Sequence, residues 1–225
     1  EAHVPLASVR SGMREHDMAQ ETLLTMRGID KIFPGVKALS NVDFTLRTHQ
    51  IHALMGENGA GKSTLIKGLT GVHPKDGGTI EMDNHAIAPT SPRDAESHHI
   101  STVYQEVNLI PHLSVAENIC LGREDLALGL IRWNRARARA RNALKRLDLK
   151  TERDVDKQLS GCSIAIQKMV AIALALDVDA QVLILDEPTS SLGEAEADEL
   201  FRIMRNLKGK GMGIIFVTHF LDQVY

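Results

Sequence analysis

Residues 51–64 read I-H-A-L-M-G-E-N-G-A-G-K-S-T, an apolar run that enters a glycine-rich turn and leaves it through Lys62, Ser63 and Thr64. The pattern G-x-x-x-x-G-K-S from Gly56 to Ser63 follows a strand and precedes the helical stretch S-T-L-I-K-G-L-T, the context that makes it a phosphate loop. Each part has a physical task. Gly56, Gly59 and Gly61 let backbone N–H groups wrap a β-phosphate, and the helix starting near Lys62 points its positive end at the same anion. The Lys62 ammonium reaches the β/γ-phosphates and the Ser63 hydroxyl goes to Mg2+. Glu57, Asn58, Ala60 and Thr64 complete the nucleotide-binding stretch.

A second motif supplies the carboxylates. V-L-I-L-D-E-P at 182–188 ends an apolar strand in Asp186, expected near the magnesium, and Glu187, expected to orient or deprotonate an attacking water. The two motifs together predict a nucleoside triphosphatase. A guanine-reading N-K-x-D motif is absent, because no asparagine of the chain is followed by one.

Outward from these motifs the chain reads as α/β. T-L-L-T-M-R-G-I (22–29), N-V-D-F-T-L-R (41–47) and T-I-E-M-D (79–83) alternate among turn residues and predict a small antiparallel sheet. I-H-A-L-M (51–55), I-S-T-V-Y (100–104), V-L-I-L (182–185) and G-I-I-F-V (213–217) are continuously apolar, as strands buried on both faces of a parallel sheet are. Helical patterns between them point to an α/β architecture. A mostly helical insertion lies between Gln105 and Ser163, at about 106–165, and contains the arginine-rich stretch 132–147. With Trp133 its single aromatic and a net charge of -3 on the chain, that stretch reads as a solvated basic face, and no nucleic-acid partner is expected.

Composition sets the outer bounds. The 225 residues, 43% hydrophobic, suffice for one domain with a substantial core. Cys120 and Cys162 lack metal-ligand spacing and suit a reducing compartment. M-V-A-I-A-L-A-L at 169–176 falls short of the roughly 18–20 residues that span a bilayer, so a membrane role is expected to run through a partner. Residues 1–20 read as a tail before a domain at 21–225.

Taken in order, the phosphate loop, V-Y-Q-E with Gln105, the stretch 158–176, L-D-E-P-T-S-S-L at 185–192 and V-T-H at 217–219 resemble the ATP-binding subunits of ABC transporters. The resemblance covers about residues 21–225 and implies a P-loop NTPase fold: a RecA-like parallel-sheet core, an N-terminal antiparallel β subdomain and a helical insertion subdomain. It implies that Gln105 joins Ser63 and Asp186 as a Mg2+ ligand and faces the membrane partner, and that His219 contacts the γ-phosphate. F-P-G-V-K-A-L at 33–39 and the ending V-T-H-F-L-D-Q-V-Y are similar to the sugar-importing members, those of galactofuranose type in particular, in which Phe33 corresponds to an aromatic stacked on adenine.

Two serines, Ser160 and Ser163, compete for the family's signature position. V-A-I-A-L-A-L at 170–176 is similar to the V-A-I-A-R-A-L that follows the family's L-S-G-G-Q, whose serine lies seven places before the valine; this aligns Ser163. Ile164 and Ala165 then stand in place of two glycines, Ile166 of a glutamine and Leu174 of an arginine, while Gly193 stands where the family has an aspartate. The expected activity is ATP hydrolysis with Mg2+, by a chain paired head-to-tail with a second ATPase half. The resemblance places it peripherally on the cytoplasmic side of the inner membrane, driving a sugar permease fed by a sugar-binding protein. The alternative is a nucleotide-binding regulatory half with little turnover, suggested by the altered signature and Gly193. ATPases of DNA repair or translation are disfavoured by the lack of a coiled-coil insertion or basic arm. The sugar-importing members carry two fused ATPase halves, and this sequence reads as the N-terminal one, ending before the family's closing strands.

The alignment makes a testable distinction. Ser163→Arg is expected to abolish hydrolysis in a hydrolysing assembly while leaving nucleotide affinity nearly intact; Ser160→Arg is expected to cost a modest factor. Loss of turnover in the Ser160 variant alone would place the signature at residues 159–162.

Overall fold

Alternate residues of the apolar runs face opposite cores, and this explains why those runs are unbroken. The computed structural model describes residues 7–9, 21–57, 59–105, 109–127, 129–148 and 154–219. In β10 (Val182–Asp186), Leu183 and Leu185 join one hydrophobic cluster while Val182 and Ile184 join another. In β11 (Gly213–Thr218), Ile214 and Phe216 face the first and Ile215 and Val217 the second. Neither face meets water, so no polar alternation is needed.

The central sheet has the order β1-β4-β11-β10-β7, where β4 is Ile51–Met55, β7 is Ile100–Val103 and β1 is Ala7–Val9. β4, β11, β10 and β7 run parallel. Within 1–20, the stretch read as a tail, β1 pairs antiparallel with β4 at the sheet's edge, Ala7 opposite Met55. Main-chain hydrogen bonds satisfy an exposed edge without any side-chain pattern, so such a strand leaves little trace in a sequence.

The second sheet is antiparallel, in the order β3-β2-β5-β6 (Val36–Arg47, Thr22–Phe33, Gly77–Met82 and His85–Ile87). It matches the three predicted strands and adds β6, a three-residue hairpin return too short to show a period. Its inner residues, Leu24, Met26, Leu46 and Ile80, pack with Leu65, Ile66 and Leu69 of α1 (Lys62–Leu69) against one face of the parallel sheet. The other face is covered by α5 (Ile164–Leu176), α6 (Glu194–Gly209) and part of the insertion.

The insertion holds α3 (Val115–Cys120), opened by a reciprocal Ser114–Glu117 capping box, and α4 (Trp133–Arg146). It also holds a two-stranded hairpin, β8 (Leu126–Ala127) with β9 (Leu130–Ile131), which the mostly helical reading did not include. Arginines of α4 are tied into neighbouring elements: Arg139 to Asp177, Arg137 to Asp156, Arg135 to Asp125 and Arg146 to the Leu176 carbonyl.

β10 is paired along both edges and buried on both faces, so it tolerates lost volume poorly. Leu185, with no exposed surface, replaced by Ala is expected to cost about 3 kcal/mol, lowering the melting temperature by roughly 6–12 °C in a thermal unfolding experiment.

Candidate nucleotide-binding site

The register of the parallel sheet brings four strand ends to one edge. Met55 lies opposite Thr218, Val217 opposite Asp186 and Leu185 opposite Val103. The phosphate loop after β4, His219 after β11, Asp186 and Glu187 at the end of β10, and Gln105 just past β7 therefore leave the sheet along the same side. That is the carboxyl-end crevice where open α/β sheets take their ligands.

The loop from Gly56 to Gly61 is shaped by backbone constraints. Gly61 caps α1 in the left-handed region at φ +87, and a Cβ there would stand 2.8 Å from the Ala38 carbonyl oxygen and 2.9 Å from a Leu39 methyl, so only glycine fits. Gly59 has φ +90, and the Ala60 N–H donates to the Glu57 carbonyl at 3.1 Å. Lys62 is buried and its ammonium donates to the carbonyls of Gly56 and, at 3.0 Å, Glu57, arching over the loop. Ser63 and Thr64 stand in the first turn of α1, Ser63 exposed and Thr64 half-buried. Asn58 lies outside the described residues.

At the end of β10 two carboxylates stand side by side. Burial, and then the neighbouring Glu187, push the Asp186 carboxyl above its ordinary value, with Lys67 and Lys62 pulling the other way. Glu187 accepts from, or shares a proton with, His219: Oε1 and Nδ1 are 2.9 Å apart. Glu187 holds φ +46 and Ser191 φ +67, both in the left-handed region, which costs a non-glycine residue on the order of 1 kcal/mol or more. The Glu187 N–H nevertheless continues the ladder to the Val217 carbonyl at 3.0 Å. A carboxylate raised by burial and then by its neighbour is a poor resident of an apolar strand end and a good hard-oxygen ligand. The donor set of Ser63, Asp186 and Gln105 thus suits Mg2+.

Gln105 is exposed at the rim. Phe33, at the end of β2, is half-buried; its ring meets His73 edge-on at 5.6 Å between centroids and has the Lys31 ammonium 5.4 Å from its centre. Ser163 stands apart from this row. It is the N-cap of α5, its hydroxyl accepting from the Ile166 N–H at 3.4 Å, while Ser160 lies in a preceding 3-10 turn at Leu159–Gly161. Ile164 beside it is 51% exposed. Gly193 starts α6, donating its N–H to Glu196 Oε2 at 3.1 Å.

Two features escaped sequence reasoning. One is the direct Glu187–His219 contact, whose partners are far apart in the chain. The other is Lys168, a buried lysine in α5 whose ammonium reaches the loop after Glu187. Its signal is legible in retrospect as a lone charge inside the apolar helix I-A-I-Q-K-M-V-A-I-A-L-A-L.

A family model described as ABC transporter matches residues 39–190. The chain is 52% identical over 209 residues to the galactofuranose transporter ATP-binding protein YtfR of Escherichia coli K12, a match covering 93% of this chain and 41% of that protein. It is 49% identical over 203 residues to the fructose import ATP-binding protein FruK of Bifidobacterium longum, covering 90% and 39%. The chain thus spans about two fifths of the length of these curated relatives. Among solved structures, an ATP-binding cassette of an ABC transporter in its ADP conformation superposes with a TM-score of 0.77 at 27% identity, over 90% of this chain and 83% of that one.

The raised Asp186 carboxyl makes a stability prediction with a definite sign. A carboxyl whose value in the fold lies above its ordinary 3.8 destabilises the fold when ionised. That cost is absent below the ordinary value, grows as pH rises through the value in the fold, and is fully present above it. Asp186→Asn is therefore expected to melt at the same or a higher temperature than the parent at pH 7 without nucleotide. The difference should vanish in acid, where both side chains are neutral. A lower melting temperature at pH 7 would contradict this account.

Proposed function

This chain belongs to the ABC transporter family, and we propose that it binds MgATP along the shared edge of β4, β11, β10 and β7 and hydrolyses it to power uptake of a sugar. The observation that carries the reading is the in-register convergence of the phosphate loop, the Asp186–Glu187 pair, His219 and Gln105. The relatives named as a galactofuranose transporter ATP-binding protein and as fructose and ribose import ATP-binding proteins support the substrate class. Hydrolysis runs in a head-to-tail pair with a second ATPase half, across whose interface Ser163 and the first free N–H groups of α5 address the partner's γ-phosphate. The pair acts peripherally on the cytoplasmic face, beneath a transmembrane permease supplied by a sugar-binding protein. Among the described residues no helix is long and apolar enough to cross a membrane.

The residues divide the chemistry as follows. Loop N–H groups from Gly56 to Gly61 and the Lys62 ammonium neutralise the β/γ-phosphates, with Lys62 exchanging a carbonyl partner for a phosphate oxygen. Ser63, Asp186 and Gln105 hold Mg2+, which when bound adds charge neutralisation at the transferring phosphoryl group. Glu187 orients or deprotonates water, its carboxylate steered by the contact with His219. His219 holds Glu187 through Nδ1 and is assigned to the γ-phosphate. Phe33 gives the adenine a ring face.

The half-exposed Ile164, where two glycines would allow close backbone approach, favours a second reading: a nucleotide-responsive half that closes on its partner and turns over little. Phosphate release decides between them. On the first reading Lys62→Ala lowers nucleotide affinity by about a hundredfold or more, whereas Glu187→Gln keeps affinity within a few-fold and slows hydrolysis by roughly 10²–10⁴. Negligible phosphate release by the unmutated assembly, with nucleotide affinity intact, supports the second.

A further inference from the structure

Lys168 is 6% exposed, and among the described residues its ammonium has three oxygen partners, none of them a carboxylate. It donates to the Pro188 carbonyl at 2.7 Å, to the Ser190 carbonyl, and to Ser190 Oγ at 3.3 Å. A buried charge satisfied only by neutral acceptors is costly, and burial lowers its proton affinity below the usual lysine value. Such a cost is expected where the group has a task. The carbonyls it holds lie between Glu187 at φ +46 and Ser191 at φ +67, the two left-handed residues that begin and end this turn. Backbone held in that region persists only where its surroundings over-determine it. Within the turn, the Ser190 N–H to Glu187 carbonyl bond at 3.1 Å and the Leu192 N–H to Thr189 carbonyl bond at 3.1 Å are local; Glu187 is tied to β11 through the Val217 carbonyl and to His219, and Lys168 ties the Pro188 and Ser190 carbonyls to α5.

We propose that Lys168 is a positioning residue for the Glu187 carboxylate. From α5, the helix that Ser163 caps, it clamps the Glu187–Ser191 turn and thereby couples the placement of Glu187 to the placement of that helix. The inference rests on the reading of Glu187 as the water-positioning group. It adds that the end of the molecule addressing a partner and the carboxylate acting on this chain's own nucleotide share one rigid link. The link is a side chain five positions, little more than one helical turn, beyond Ser163. A displacement of α5 at its capped end carries the Pro188 and Ser190 carbonyls with it, and Glu187 immediately precedes them.

Lys168→Met tests this, since methionine fills nearly the same volume without the charge and replacing a buried ion by apolar volume is compatible with folding. Three measurements are made: MgATP affinity and amide hydrogen exchange on the chain, and steady-state phosphate release by the hydrolysing assembly. The expected result is affinity within about twofold of the parent, kcat lower by about tenfold or more, and faster exchange at the Ser190 and Leu192 amides. Lys168→Gln, which retains an N–H donor, is expected to recover part of the lost kcat. A kcat within twofold of the parent, an affinity that falls as far as kcat does, or no recovery by glutamine would each overturn the proposal. Glu187→Gln runs alongside to separate the two claims. If it hydrolyses at the parental rate, the reading of Glu187 fails, and the clamp stands or falls on amide exchange alone: acceleration supports it and unchanged exchange overturns it.

Discussion

The parallel hydrogen-bond ladder joining β4, β11, β10 and β7 is the constraint on which the rest of this molecule depends. Its register fixes Met55, Thr218, Asp186 and Val103 relative to one another. The phosphate loop, Glu187, His219 and Gln105 come shortly after those positions, while Phe33 ends β2 and Ser163 caps α5. Parallel pairing in turn requires both sheet faces to be covered, which the two hydrophobic clusters accomplish from opposite sides. The apolar alternation inside the strands and the polar chemistry at their ends are thus two consequences of one arrangement.

At that edge the fold carries local costs that packing elsewhere offsets. Glu187 and Ser191 sit in left-handed backbone, Asp186 is raised by burial and by its neighbour, and Lys168 is buried with no carboxylate partner among the described residues. These features cluster around one turn, whereas the strands leading to it are regular. Two left-handed residues, a raised carboxyl and a buried lysine meeting at one turn are a combination that a binding or catalytic site produces.

Much of this was legible in the residues. The glycine-rich loop is readable because Gly61 admits no side chain, and the central strands are readable because burial on two faces removes polar alternation. Alignment through Val170 picks out Ser163 as the signature serine, and the structure makes it the cap of α5, which begins at Ile164. Less legible were elements defined by main chain alone: the edge strand Ala7–Val9, the return strand His85–Ile87 and the hairpin at Leu126–Ile131 are too short to develop a period. Long-range side-chain partnerships were not legible at all, since neither the His219–Glu187 contact nor the reach of Lys168 to Pro188 depends on local spacing.

If the four strand ends form one metal–nucleotide site, a paramagnetic ion bound there reports on all of them at once. With Mn2+ in place of Mg2+ and saturating ATP, backbone amide resonances of residues 59–63, Gln105, Asp186, Glu187 and His219 should broaden together. Those of the Leu126–Ile131 hairpin, which lies in the insertion, should stay sharp. Broadening confined to the phosphate loop, with Asp186 and Gln105 unaffected, would contradict a single site built from all four strand ends.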